Sequence, residues 1–462
     1  MAVEIKQGGM IMEQRSQAQL VSYNVNNAEL CASAARISTT KGNAVEIFEK
    51  SKSNEKNQEL IQKVLRSGHQ TIIEHAVFTF ALNNVSAFVE QFFIECRLAS
   101  FTVKSRRYVD FSGQGYFIPP KLEGEDRDYY CQYMDTLFLA YQAMLEDGIP
   151  KEDARFLLPY SFHSNFYCTL NAREMIHIIC DMKHGRGKGI PELQDLADQI
   201  IEQAQHVFPC IRSLMDDSLA ADGSEGPAVD LILSDDEVSF VGLQDIGGVQ
   251  LLNEPLNPAG ILHTAYRVNH PGEDQVPEVH TLLRSARPRE LEQISYSFLI
   301  SNITLSGITH MVRHRMQSVL VPSIREMIHS KFVLPDTIRN DAKSFSLYRH
   351  VLELSNDRIK QMGKREALRR YSYYFALSGN VMNIMTTMNA RELGNFIRLR
   401  SCNRAQWEIR KISIEMLKYL RHSFPGLFHY YGPSCFIDGQ CPEGRMSCGR
   451  QNEVVESFMH LE

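Results

Sequence analysis

Arg313-His314-Arg315 places two guanidinium groups around one imidazole, and Ser323 follows eight positions after Arg315. An arginine fork makes two parallel charge-assisted hydrogen bonds to a phosphate or carboxylate. On a regular helix, residues two apart point in different directions, so Arg313 and Arg315 would diverge there. At a helix end or in a turn they can clasp one anion from two sides. Ser323 and Arg325, just after Pro322, add a hydroxyl and another guanidinium. This set suits a nucleotide with a phosphate and a polar base. A solvated helix turn and a salt-bridge cluster between subunits are the competing readings.

A second group lies near the C-terminus: Cys435, Cys441 and Cys448, interleaved with Gly439, Gly444 and Gly449. The glycines would let a tight loop wrap three thiolates around a metal. Zinc takes four ligands, so a fourth must come from Cys402, His429 or elsewhere, and an iron–sulfur cluster would use the same thiolates. The spacing is looser than a CxxC knuckle, and free thiols or one disulfide on a mobile tail are equally open.

Composition narrows the class. Of 462 residues, 44% are apolar and 23% charged, as in an ordinary globular protein, and the length suggests two domains. A net charge of -6 argues against nucleic acid as a partner. No apolar run approaches the roughly 20 residues of a membrane-spanning helix. The start, MAVEIKQGGMIMEQRS, lacks the pattern of a secretory leader. Ten mostly scattered cysteines read as free thiols in a cytoplasmic protein.

The elements that carry the arginine motif occur twice. Glu74 and Glu292 stand 218 positions apart, as do Arg97 and Arg315, Ser105 and Ser323, Arg107 and Arg325, and the NARE tetrapeptides beginning at Asn171 and Asn389. One register held over so many positions indicates a tandem duplication. Residues 1–215 form the first repeat, 216–230 an acidic Gly/Pro-containing linker, 231–430 the second repeat, and 431–462 a cysteine-containing tail. Phe78, Phe80 and Leu82 alternate, as do Ile294, Tyr296, Phe298 and Ile300, which predicts a strand in each repeat. A helix should run from each strand into the motif. Further helices are expected near Asp128–Asp147 and Phe345–Met362, and over the NARE and AQWEIRKISIEMLKYLRHSF segments. The fold class is mixed α/β (α+β), in two copies.

Arg313-His314-Arg315 with Ser323 resembles the RHR-x7-S signature of the flavin-dependent thymidylate synthases. The flanks agree in order: AARIS from Ala34, GHQTIIEHAVFTF from Gly68, RLASFTVKSRRY from Arg97 and DARFLLP from Asp153, then NARELGNFIRLR from Asn389 and AQWEI from Ala405. The resemblance spans roughly 22–212 and 230–428. It implies an α/β domain that assembles as a tetramer with active sites where subunits meet, so this duplicated chain would form a homodimer, a pseudo-tetramer. It implies reductive methylation of dUMP to dTMP with methylenetetrahydrofolate, FAD and NADPH. Ser38, Thr71, Glu74, Arg313, His314, Arg315, Asn389, Arg391 and Asn395 would hold FAD. Gln91, Ser105, Arg107, Arg155, Ser323, Arg325 and Arg400 would hold the nucleotide, with Arg400 and His314 catalytic.

Each repeat departs from the pattern. The first has Glu95-Cys96-Arg97 in place of the triplet, and the charge reversal at Glu95 should repel a pyrophosphate. The second has SARPRELEQ and AYRVN where the first keeps GHQTIIEH and AARIS, and Tyr373 stands opposite Arg155. Both repeats have valine, Val103 and Val321, where the family places a carboxylate. The losses are largely complementary, which implies composite sites built from both repeats. The other readings are a non-catalytic flavin- or nucleotide-binding regulator and a related uridylate C5-alkylating enzyme.

Overall fold

The structure, a computed structural model, describes residues 15–52, 54–212, 215, 230–273, 277–283 and 285–462. The expected linker lies outside the described residues except for Asp230. Contacts divide the chain into two compact units: residues 1–235, 323–325 and 346–377 in one, and 236–322, 326–345 and 378–462 in the other.

Unit 1 holds a four-stranded antiparallel sheet of β1 (Gln17–Tyr23), β2 (Val77–Ser86), β3 (Ser100–Val103) and β4 (His163–Asn171), in the order β1-β2-β4-β3. Unit 2 holds a parallel pair, β5 (Ser239–Val241) with β9 (Lys331–Val333). Its main sheet is β6 (Gly248–Asn253), β7 (Ser295–Thr304), β8 (Gln317–Leu320) and β10 (Val381–Asn389), in the order β6-β7-β10-β8. The alternating residues Phe78, Phe80 and Leu82, and Tyr296, Phe298 and Ile300, are buried, as the period of two requires.

The duplication is visible down to single hydrogen bonds. Thr79 pairs with Thr169 across one sheet and Ser297 with Thr387 across the other, their hydroxyls 2.9 Å and 2.8 Å apart. Asn84 and Asn302, at φ 53° and 55°, sit where the register of β2 and β7 shifts. Each donates its amide to an asparagine on the neighbouring strand, Asn165 or Asn383, at 3.0 Å. Left-handed backbone is tolerated by asparagine better than by most residues, which explains the choice at both kinks.

The helices leading into the arginine motif, Ala87–Ile94 and Leu305–Met311, are N-capped by Ser86 and Thr304. A buried carboxylate from the last long helix of each repeat locks each cap. Glu192 accepts from the Ser86 amide at 2.8 Å, and Glu408 accepts from the Thr304 amide at 2.7 Å and its hydroxyl at 2.7 Å. The strand, cap and helix therefore arrive at the motif as one braced piece.

The compact units do not coincide with the sequence repeats. The helix Ala342–Met362 belongs to the second repeat, yet from Ser346 onward it is part of unit 1. There it meets the helix Gly124–Glu146: Tyr129 donates to the Arg358 carbonyl at 2.8 Å, and the Tyr133 and Ser355 hydroxyls lie 2.5 Å apart. The C-terminal tail is docked on unit 2. Buried Arg421 donates to the carbonyls of Phe458 at 2.7 Å and Leu461 at 2.8 Å, which ties the end of the tail to the last long helix. Among the described residues, no helix is long and apolar enough to cross a membrane.

Candidate active site

Unit 2 presents the arginine motif in the turn between Leu305–Met311 and β8, the non-helical setting in which two arginines can share an anion. Arg313 and Arg315 are exposed there and His314 between them is buried. The imidazole is held from both sides by the helix Ala390–Arg400. Its Nδ1 lies 3.0 Å from Glu392 Oε1, and Arg400 donates its Nε–H to Nε2 at 3.0 Å. A guanidinium only donates, so Nε2 carries no proton and Nδ1–H donates to Glu392. Phe396, one turn along the helix, meets the ring edge to face at 4.9 Å. Burial lowers the His314 pKa most, the Glu392 hydrogen bond opposes that, and the Arg400 charge lowers it further. His314 is thus a neutral, oriented acceptor that holds Arg400 in place.

The same helix carries other expected site residues. Asn389 is its N-cap and accepts from the Glu392 amide at 2.9 Å; Asn171 does the same for Glu174. Arg391 pairs with Glu292 at 2.5 Å, and Arg173 pairs with Glu74 at 2.6 Å in the first repeat. Asn395 is exposed. Glu392 was not anticipated; its presence in both NARE tetrapeptides was the available signal.

The first repeat's counterpart is closed internally. Glu95 pairs with Arg186 at 2.5 Å, and Arg186 also binds Asp181 at 2.8 Å and lies 4.7 Å over the Phe92 ring. The reversed charge at Glu95 is therefore neutralised by an arginine of the divergent CDMKHGRGKG segment rather than left facing an anion. Burial pushes the Cys96 thiol up to about 12, so Cys96 is a protonated thiol and not a nucleophile at neutral pH.

Nucleotide-binding candidates gather in unit 1. Arg107 pairs with Glu152 at 2.9 Å, Arg155 donates to the Glu152 carbonyl at 3.1 Å, and the Ser105 hydroxyl accepts from the Arg107 amide at 3.3 Å. Ser323 repeats that turn with the Arg325 amide at 3.4 Å. Gln91 binds the Tyr160 hydroxyl and donates to Glu95 at 3.0 Å. Burial raises the Asp230 pKa, and the charges of Arg369, Arg325 and Arg370 oppose this. Arg369 and Arg370 are exposed. Arg107 and Arg155 thus both meet Glu152, one at its carboxylate and one at its carbonyl.

Ser38 and Thr71 are exposed near the contact of helix Asn27–Arg36 with the turn Gln70–His75. The equivalent contact in unit 2, between Pro258–Asn269 and Arg289–Gln293, borders a groove of about 750 Å3. Asn269, Arg289, Glu290 and Gln293 line it, and Asn269 donates to Glu290 at 2.6 Å. That volume is within the range of small-molecule pockets. Cys435, Cys441 and Cys448 line one cavity, joined by Cys402. Among the described residues no group of three or more His, Cys, Asp or Glu side chains stands as a ready-made metal-ligand set, so the expected site at Cys435, Cys441 and Cys448, with or without Cys402, is not preformed.

Acid should weaken the fold through two buried histidines. Burial lowers the His163 pKa to about 4 against the Gln114 carbonyl contact, and His314 is also lowered. Between the ordinary value of 6.5 and the folded value, the unfolded chain binds more protons, so stability rises with pH and is lost as pH falls. From pH 6.5 to 5 the His163 share is about 2 kcal/mol. Urea unfolding at pH 7 and pH 5 measures it, and His163→Gln should remove most of that share. An unchanged pH dependence in the variant would assign the acid sensitivity to other groups.

A duplicated α/β domain with a cationic turn braced by a neutral histidine is the class that this geometry defines. Comparison gives the family. The model described as "Thymidylate synthase complementing protein" matches residues 19–210 and 251–426, more than half of the chain. The flavin-dependent thymidylate synthase of Clostridium tetani is 31% identical over 223 residues, covering 44% of this chain and 88% of that protein. The enzyme of the same name from Geobacter sulfurreducens is 34% identical over 155 residues, 33% of this chain and 66% of that one. A crystal structure of a UMP/dUMP methylase from Streptomyces cacaoi bound with 5-Br dUMP shares 23% identity at a TM-score of 0.38, covering 45% of this chain and 97% of that one. The chain belongs to the flavin-dependent thymidylate synthase family, as a tandem duplication of its domain.

Proposed function

We propose that this chain converts dUMP to dTMP with methylenetetrahydrofolate as carbon donor, FAD as resident cofactor and NADPH as reductant, in sites that use residues of both repeats. The observation that carries this is the His314–Arg400 hydrogen bond beside the exposed Arg313 and Arg315. The donor set fits a flavin dinucleotide: two guanidiniums on one turn suit a pyrophosphate. Arg313, His314, Arg315, Asn389, Arg391 and Asn395, with Ser38, Thr71 and Glu74, would hold it. Bound flavin would supply the hydride that completes the methyl group.

The chain's own residues bind and polarise. Arg107 and Arg155, and in the second repeat Arg325 with Ser323, would neutralise the nucleotide phosphate, while Ser105 and Gln91 complete the polar contacts. Arg400, aimed by His314, would face the uracil and stabilise negative charge as C5 becomes nucleophilic. His314 stays neutral and needs no proton of its own for this. Two chains would pair, completing the four-domain assembly.

Purified protein should carry a yellow flavin, and Arg315→Ala should weaken its binding roughly tenfold or more by removing a charge-assisted contact. Light scattering of the same sample should give twice the chain mass. A protein that cannot be loaded with FAD would reject the reading. Flavin-loaded protein that alkylates uridylate but releases a product other than thymidylate would instead support a related C5-alkylation, the reading favoured by Val103 and Val321 in place of a carboxylate.

A further inference from the structure

Four cysteines from three separate segments of unit 2 line one small cavity of about 10 Å3. Cys402 lies two residues past the helix that presents Arg400. Cys435 sits in the short turn Ser434–Ile437, and Cys441 and Cys448 lie on the loop that follows. That loop turns back through Gly439, Gly444 and Gly449, at φ 73°, 51° and 72°, a left-handed backbone that glycine adopts without steric cost. All four cysteines are free thiols. Two N–H donors already point at the sulfurs: the Arg404 amide to Cys402 Sγ at 3.4 Å, and the Asn403 side chain to Cys448 Sγ at 3.9 Å. Donors of this kind stabilise negative charge on a ligating sulfur.

We propose that Cys402, Cys435, Cys441 and Cys448 form a closed tetrathiolate site for one divalent ion of the zinc class. Four sulfur ligands with no open position are the arrangement of a structural zinc site. The four cysteines converge on one small cavity, which suits a single ion. The thiols stand apart from a finished ligand shell. Metal binding breaks four S–H bonds, releases four protons to solvent and forms four metal–sulfur bonds at about 2.3 Å. The ion would tie the tail to the end of the Ala390–Arg400 helix, alongside the Arg398 contacts with Ser434 and Asp438.

Elemental analysis of the purified full chain should find about one zinc per chain, released when an organomercurial titrates the thiols. Cobalt(II) added to chelator-treated protein should give intense sulfur-to-cobalt charge-transfer absorption. Cys441→Ser and Cys448→Ser should each lose that band, and Cys31→Ser, outside the cavity, should keep it. Protein that holds no metal and gives no cobalt–thiolate absorption overturns the proposal. So does an unchanged band in Cys448→Ser, and so does iron with acid-labile sulfide.

Discussion

Replacing Arg400 by alanine is expected to lower kcat for thymidylate formation about a hundredfold, which corresponds to roughly 3 kcal/mol of transition-state stabilisation. The effect is large because the guanidinium is oriented before substrate arrives. Its Nε–H is committed to His314 Nε2, His314 is fixed through Glu392, and both are buried. Arg400→Lys should recover little, since an ammonium lacks the planar guanidinium that donates to His314 through Nε and still presents its terminal N–H groups to the nucleotide. The measurement is single-turnover thymidylate formation by flavin-loaded protein, with dUMP affinity read separately. A loss confined to affinity would make Arg400 a binding group only. Combining Arg400→Ala with Arg155→Ala tests whether both serve one bound nucleotide: the double variant should then cost clearly less than the sum of the two.

Glu90→Ala is expected to destabilise the fold by about 3–5 kcal/mol, the cost of leaving a buried charge unpaired. Glu90 and Arg106 form an ion pair at 2.8 Å with side chains 1% and 5% exposed, and Ser164 donates to the second Glu90 oxygen at 2.5 Å. Arg106 also lies 5.1 Å over the Phe162 ring, and it cannot shed its proton to escape. The second repeat shows the alternative: 218 positions on, these three sites hold Ile308, Ile324 and Met382, all buried and apolar. Replacing all three first-repeat residues with their counterparts should therefore cost far less than Glu90→Ala alone. Urea midpoints of the single and triple variants decide this. Equal losses in the two would show that the ion pair itself contributes net stability.

Much of this protein is local enough to be read in sequence. The duplication, the strand alternation, the helices beyond each strand and the RHR-x7-S spacing all follow from periods and offsets along the chain. The nature of the caps does too, since Ser86, Thr304, Asn171 and Asn389 act within three residues of themselves. Partner choice over long separations was not legible. Glu392 and Arg400 reach His314 only because β10 returns beside β7 and β8 and delivers its following helix to the arginine turn. Arg186 neutralises Glu95 through the equivalent return in the first repeat, which reverses the meaning of the charge change.

Sequence alone determined what kinds of groups are present, twice over and in which order, because hydrophobic period and duplicated register are properties of neighbouring residues. Tertiary structure alone decided which charges are cancelled, which histidine is kept neutral and that Cys402 joins the three tail cysteines. It also assigned the second repeat's helix, from Ser346 onward, to the compact unit of the first repeat. The physical reason is burial: a buried charge, imidazole or thiol takes its protonation state from whatever the fold sets within a few ångströms, and residues far away in the chain supply those neighbours.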